Sequence, residues 1–372
     1  MKKLLLTTFL LLSIVFYARC INISDGVVTF TYENREASRV QLSWQGKLYN
    51  MQSDGMGNYT FDVKDVSSGL YTYSFVVDGA AVLDPHNIHV MRDCNRYFNY
   101  FIVSGEEGDV FAMQDVPHGS VNEVWYKTEE GNSRRMLVYL PPSYLSGKDY
   151  FPVLYLFHGT WGDEDAWVEQ GRVPQVLDNL IAQGKAQEMI VVMPNENMWQ
   201  AAAPTHTEQI EHFDKPADAI FNMADGKFEE KFGEIMQFVE RQFRTITKKN
   251  SRAIAGLSRG GYFAYHISHY YNSLFDYVGL FSATYLATAP SRVYKNIDKD
   301  LQRQFKNPPT LYYIAIGKDD FLYAENVLMR QKLTNNGYQF MYVESAGGHE
   351  WNNWRNYLVD FLPRLFHANT EK

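Results

Sequence analysis

The sequence predicts a two-part α/β chain. A small all-β, immunoglobulin-like sandwich comes first, then a larger unit whose mostly parallel sheet is flanked by helices. Three observations carry this reading. Residues 21 to about 113 are short runs rich in β-branched and aromatic residues, punctuated by Gly and Asp. From about Val121, continuous apolar runs alternate with stretches of helical apolar spacing, as expected of strands buried on both faces beneath helices. Within this second region Ser258 stands between glycines where an apolar run meets a helix-like one. At 372 residues two domains are expected, and the change of pattern divides them as 21–113 and 114–372.

Residues 1–20 belong to neither. "MKKLLLTTFLLLSIVFYARC" has two lysines, an apolar run from Leu4 to about Tyr17, and Ala18 and Cys20 placed as signal peptidases require. This predicts a signal peptide and a secreted or periplasmic protein. A lipid-bearing Cys20 is the alternative, with Arg19 a poor match to the small residue usual before it. The run is short for a transmembrane helix and no second candidate follows. Without Cys20 one cysteine remains, Cys94, so no internal disulfide is expected. A net charge of -8 lacks the basic excess of a nucleic-acid binder. His86 with His89, and His266 with His269, lie three apart without a third ligand, so neither a metal nor another cofactor is expected. Nothing indicates the oligomeric state.

In the first region the strand candidates are "VVTFTY" from Val27, "VQLSW" from Val40, "YTFDV" from Tyr59, "YTYSFVVDGAAVL" from Tyr71 and "YFNYFIV" from Tyr97. Asp78-Gly79 inside the fourth marks a hairpin, because both central positions of that turn need positive φ. In the second region "VNEVWY" and "RRMLVYL" form an antiparallel pair through Glu130-Gly131-Asn132. The runs "PVLYLF", "MIVVMP", "AIAG", "TLYYIAIG" and "FMYVE" follow as buried strands. Between them Phe228, Phe232, Ile235, Met236, Val239 and Phe243 share one helical face, as do Val176, Leu177, Leu180 and Ile181 on another. In such sheets the chemistry sits on loops leaving the carboxyl ends of the strands.

Gly256-Leu257-Ser258-Arg259-Gly260 fits Gly-x-Ser-x-Gly, with an apolar strand before it and "YFAYHISHYY" after it. That setting presents a strained, exposed serine as a nucleophile. A serine needs a base, and in this fold the acid and then the histidine follow it in the chain. His349, in the loop "ESAGGHEW" straight after a strand, suits the base, whereas His367 lies near the end of the chain past the last helix. Asp319 and Asp320 both end the strand "TLYYIAIG", and spacing alone does not separate them. The oxyanion hole needs two backbone N–H groups. Arg259 supplies one, and the loop His158-Gly159-Thr160 supplies the other through Thr160, with His158 as a loop organiser.

The blocks "LYLFHGTWGDEDAW", "VLDNLIAQGKAQEMIVVMPN", "AIAGLSRGG", "YYIAIGKDDFLY" and "GGHEWNNWRNYL" resemble, in order, carbohydrate esterase family 1, the esterase D-like branch of the α/β-hydrolases. That family includes feruloyl esterases, acetylxylan esterases and enterochelin-esterase-like proteins. The resemblance covers nearly the whole chain and implies the α/β-hydrolase fold. The family's acid stands three residues after the strand-ending glycine, which implies Asp320, and its oxyanion donors fall on Thr160 and Arg259. "GLYTYSFVVDG" and "LDP" are similar to family 48 carbohydrate-binding modules, with Trp44 or Tyr59 as sugar contacts, or else a purely structural module. One departure stands out: relatives more often carry Met where this chain has Arg259. Its side chain either grips a polar or carboxylate group of the substrate or pairs with an acid such as Asp319 or Glu350.

Five of the seven tryptophans, Trp161, Trp167, Trp199, Trp351 and Trp354, fall on or beside predicted loops at the active end of the sheet. Trp161, Trp199 and Trp351, with Arg259, are the expected substrate contacts. Asn195 to about Gly226 reads as a substrate-facing loop or lid. These features together imply a secreted serine esterase acting on acyl esters of plant cell-wall polysaccharide, foremost feruloyl esters of decorated xylan. The alternatives are an acetylxylan esterase, a siderophore esterase for which Arg259 would suit an anionic substrate, and a non-catalytic carbohydrate-binding protein. The complete Ser258, Asp320 and His349 set argues against the last.

Overall fold

The computed structural model describes residues 21–24, 26–207, 225–285 and 291–367. The expected signal peptide with Cys20, and positions 208–224 of the expected lid, lie outside the described residues. The chain forms two compact units. The first runs to Ser67 and takes in Thr72–Val90 and Phe98–Val103; the second comprises Ser68–Tyr71, Met91–Tyr97 and everything from Ser104 onward.

The strands of the N-terminal region are β1 (Ile21–Ser24), β2 (Val27–Glu33), β3 (Val40–Trp44), β4 (Lys47–Asn50), β5 (Gln52–Ser53), β6 (Asn58–Val63), β7 (Gly69–Val77), β8 (Ala80–Val82), β9 (Val90–Asp93) and β10 (Arg96–Val103). They make two sheets, ordered β1-β2-β6-β5 and β4-β3-β7-β10-β9, with β8 paired to β7. Alternate residues of β3 are buried, as a sheet with one face on a core requires. Phe30 of one sheet meets Trp44, Tyr73 and Phe101 of the other edge-on, at ring separations of 5.5, 5.1 and 5.8 Å. The β7–β8 turn falls on Asp78 and Gly79, with φ of 48° and 93°. Trp44 and Tyr59 are both buried in this core, and the Tyr59 hydroxyl donates to the Ala37 carbonyl. Neither presents a ring to a sugar.

From Ser104 onward the second unit begins with the short helix α1 (Glu106–Asp109) and the antiparallel pair β11 (Ser120–Lys127) and β12 (Ser133–Leu140). Then follow β13 (Val153–Phe157), α2 (Ala166–Glu169), α3 (Val173–Ala182), β14 (Ile190–Pro194), α4 (Lys227–Gln242), β15 (Arg252–Leu257), α5 (Arg259–Tyr270) and β16 (Tyr277–Phe281). The last elements are α6 (Ile297–Lys306), β17 (Leu311–Gly317), α7 (Tyr323–Asn335), β18 (Met341–Ser345) and α8 (Trp351–Phe361). These strands form one sheet ordered β11-β12-β14-β13-β15-β16-β17-β18, parallel from β14 onward. Every residue of β13, β14, β15 and β16 is buried, because helices cover both faces. On α4 the face read from the sequence is buried from Phe228 to Val239, while Phe243 lies just past the helix end in extended backbone. Among the described residues no helix is long and apolar enough to cross a membrane.

The winding reverses at β13: β14 lies on one side of it and β15 on the other. In an open parallel sheet the loops leaving two such strands diverge to opposite faces and leave a crevice between them. The loop after β13 carries Thr160, and the turn after β15 carries Ser258.

Candidate active site

β15 runs straight into Ser258, whose φ of 52° and ψ of -119° depart from every ordinary well for a residue with a side chain. α5 starts at the next residue, so the serine is pushed out at the carboxyl edge of the sheet. Its N–H donates to the Phe281 carbonyl at 2.8 Å, and its own carbonyl accepts from Tyr262 N–H at 3.0 Å. The flanking glycines answer to space. A Cβ on Gly256 would lie 2.4 Å from the Gly260 carbonyl carbon, and one on Gly260 would lie 2.1 Å from the His158 carbonyl oxygen. Strand, helix and the loop after β13 meet there with no room for a side chain.

His349 Nε2 stands 2.8 Å from Ser258 Oγ, and its Nδ1 lies 3.0 and 2.9 Å from the two oxygens of Asp320. A carboxylate only accepts, so Nδ1 carries the ring proton and Nε2 is left to accept from the serine hydroxyl. Burial alone would raise the Asp320 carboxyl. The hydrogen bonds from His349 and from Leu322 N–H outweigh it and hold the group below its usual value. Asp319 is exposed, and its backbone N–H braces the histidine loop through Gly347 O at 3.0 Å. The imidazole is flanked by two aromatic rings, Trp354 at 4.9 Å and Phe321 at 4.4 Å.

A Cβ on Gly159 would lie 3.3 Å from Ser258 Cβ, so the loop after β13 rests directly against the serine. Among the described residues, neither Thr160 N–H nor Arg259 N–H has a protein acceptor. His158 explains how one of them is aimed. Its Nε2 accepts from Glu196 N–H at 3.2 Å, leaving Nδ1 to donate to Gly159 O at 2.8 Å. Burial, then the nearby Arg259 charge, hold this imidazole neutral. Gly159 C=O and Thr160 N–H belong to one planar peptide, so pinning the oxygen turns the N–H the opposite way.

The Arg259 side chain is buried, with 8% of the residue exposed. Its Nη2 donates to Asn197 Oδ1, Glu196 lies 3.7 Å away, and the rings of Trp199 and Phe263 stand 5.8 and 5.6 Å from the guanidinium. Burial pushes the guanidinium down and the Glu196 carboxyl up, and the charge of each opposes the other's shift. Of the two readings of this side chain, the observed one is pairing with an acid, as a buried tie between α5 and the loop after β14. The acid beside it is Glu196 rather than Asp319 or Glu350, because the first turn of α5 starts under that loop. The same loop is held from below. Arg134 donates to the carbonyls of Asn195, Asn197 and Met198, while Glu164 accepts from Asn195 Nδ2 at 2.7 Å and Ala203 N–H at 2.8 Å. Burial pushes the Glu164 carboxyl up to about 7.

Of the five tryptophans, Trp167 and Trp354 are core residues, while Trp161, Trp199 and Trp351 are half-buried. Trp351 donates from Nε1 to Asp93 at 3.2 Å and packs on both Trp167 and Trp354 at 5.3 Å. Trp161 follows Thr160 with a φ of 70°. Among the described residues no group of three or more His, Cys, Asp or Glu side chains could hold a metal ion. His266 and His269 face each other at 3.1 Å inside the core, and burial lowers both. Sequence reasoning passed over Phe321, Glu196 and Asn197. Each follows the carboxyl end of a buried strand, where side chains that serve a site are to be sought.

A serine on a strained strand-to-helix turn, set where the sheet's winding reverses and followed in the chain by its hydrogen-bonded acid and base, defines the α/β-hydrolase class. The chain belongs to the Esterase family, whose model matches residues 128–365. It is 28% identical over 359 residues to an endo-1,4-beta-xylanase/feruloyl esterase of Xylanibacter ruminicola, an alignment covering 92% of this chain and 45% of that protein. The chain thus spans less than half the length of that relative. A solved ferulic acid esterase is 28% identical, with a TM-score of 0.54, over 66% of this chain and 98% of its own. The enterobactin esterase of Shigella flexneri, at 16% identity, shares the fold over 93% of this chain and 95% of its own, with a TM-score of 0.64.

Proposed function

We propose that this chain is an exported serine carboxylic-ester hydrolase of plant cell-wall polysaccharide, and that its substrates are feruloyl esters on decorated xylan. The observation that carries the chemistry is the Ser258–His349–Asp320 relay beside two backbone N–H groups without acceptors among the described residues. Support for the substrate comes from the Xylanibacter relative, which aligns with 92% of the chain. Export rests on the composition of residues 1–20.

In this reading Ser258 Oγ attacks the ester carbonyl carbon while His349 Nε2 takes its proton. Asp320 holds the imidazole in the required tautomer and steadies its charged form. Thr160 N–H and Arg259 N–H receive the negative charge that develops on the carbonyl oxygen. Collapse breaks the bond to the sugar oxygen, which takes the proton from His349. Water then repeats the steps on the acyl-enzyme, releasing the acid and restoring Ser258. Deacylation needs the same groups as acylation, so one relay serves both halves.

The test is release of ferulate from methyl ferulate and of acetate from acetylated xylan by the chain from Ile21 onward. Ferulate release should fall at least about 10⁴-fold in Ser258→Ala. Undiminished turnover in that variant would remove Ser258 from the mechanism. Release of acetate alone would replace feruloyl by acetyl as the acyl group.

A further inference from the structure

Phe321 stands out once the relay is in place. It directly follows Asp320 at the carboxyl end of β17 and is 72% exposed, although its ring centre lies only 4.4 Å from that of His349. A lone exposed phenylalanine on a protein surface needs no explanation. One resting on the imidazole that passes the proton does. The other ring against His349, Trp354, is buried, and the neighbouring Trp351 is tied to Asp93. Among the described residues, Phe321 is thus the exposed aromatic ring against the base.

The reaction geometry says which half of an ester comes to that face. The carbonyl carbon must sit over Ser258 Oγ with its oxygen toward Thr160 and Arg259 N–H. The leaving oxygen must come within about 3 Å of His349 Nε2 to take the proton. The group attached to that oxygen therefore emerges on the His349 side, while the acyl group extends away from it. We propose that Phe321 is a specificity-determining platform for the alcohol half of the ester, the sugar that carries the acyl group, whose apolar ring C–H face would lie on the phenyl ring. This rests on the reading of the chain as a polysaccharide esterase, but it concerns the leaving group and not the acyl group.

The experiment holds the acyl group constant and changes the alcohol. For wild type, Phe321→Ala and Phe321→Trp, kcat/KM is measured on a feruloylated arabinoxylo-oligosaccharide and on methyl ferulate. Where ferulates are not turned over, the matched pair is an acetylated xylo-oligosaccharide and methyl acetate, so a wrong acyl assignment shows itself separately. Phe321→Ala should lose about tenfold or more on the sugar ester, mainly through KM, and less than about twofold on the methyl ester. Phe321→Trp should restore the sugar ester. Equal losses on both esters, or a shifted pH profile on the methyl ester, would overturn the platform and make the ring a shield for His349. A wild type with no preference for the sugar ester would overturn it as well.

Discussion

Ser258 is held at a φ of 52° by two backbone hydrogen bonds, one to Phe281 and one from Tyr262. The strain is tolerable because both neighbours are fixed elements of the sheet and helix. His158 shows the same logic one residue from the chemistry: a neutral, buried imidazole pins one face of a peptide so that Thr160 N–H faces the other way. Replacing it by Ala removes one of the two donors on Gly159 O and leaves only Gly162 N–H, at 3.0 Å, to hold that peptide. In His158→Ala, kcat should fall about 10- to 100-fold with KM little changed, since the donor acts on charge present only in the transition state. A variant that keeps wild-type kcat while merely losing thermal stability would reduce His158 to a packing residue. At this scale much of the site was legible. Ser258 and His349 follow from glycine bracketing and from a loop straight after a strand. Spacing did not separate Asp319 from Asp320, because both end the same strand; the resemblance implied Asp320, and the turn through Gly317 O carries it inward. The fate of Arg259 was also hidden. Its partners lie 62 and 63 positions earlier in the chain, and no local pattern joins them.

Among the elements, the meeting of β13, β15 and α5 leaves the least room. Gly260 is not in the left-handed region, so its requirement is purely one of approach to His158 O and Phe157 O. Gly260→Ala should therefore destabilise the fold by on the order of 3 kcal/mol or more, since backbone cannot yield as a flexible side chain can. Chemical denaturation reads this directly, and a midpoint equal to wild type would mean the helix shifts freely. The strands with long apolar runs were legible at this scale, but β16, "YVGLF", was not. It is five residues long with Gly279 at its centre, and glycine speaks against a strand. Tertiary packing overrides that preference: a Cβ on Gly279 would lie 2.9 Å from both Ala255 Cβ and the Phe361 ring.

For the whole molecule, composition divided the chain near residue 113, and compactness divides it differently. Met91–Tyr97, in an all-β stretch of sequence, groups with the second unit. There Arg92 donates to both oxygens of Asp163, at 2.7 and 2.8 Å, and to Asp165 at 3.2 Å. Burial would lower the guanidinium, but the two carboxylates raise it, and it stays charged. Removing the arginine leaves Asp163 buried beside like charge. Arg92→Ala should cost about 3–5 kcal/mol in unfolding, followed by tryptophan fluorescence, to which six of the seven tryptophans contribute from the second unit. An unchanged midpoint would show the pair to be dispensable.

By itself, the sequence determined the class of the fold, the order of most strands along the chain, and the serine and histidine proposed as nucleophile and base. Those depend on periodicity and on residues adjacent in the chain, which a linear pattern records. Only the tertiary structure decided the burial of Arg259 against Glu196, the core roles of Trp44, Tyr59, Trp167 and Trp354, and the exposure of Phe321 beside His349. Each depends on which distant segments share space, and burial is a property of neighbours rather than of the residue that is buried.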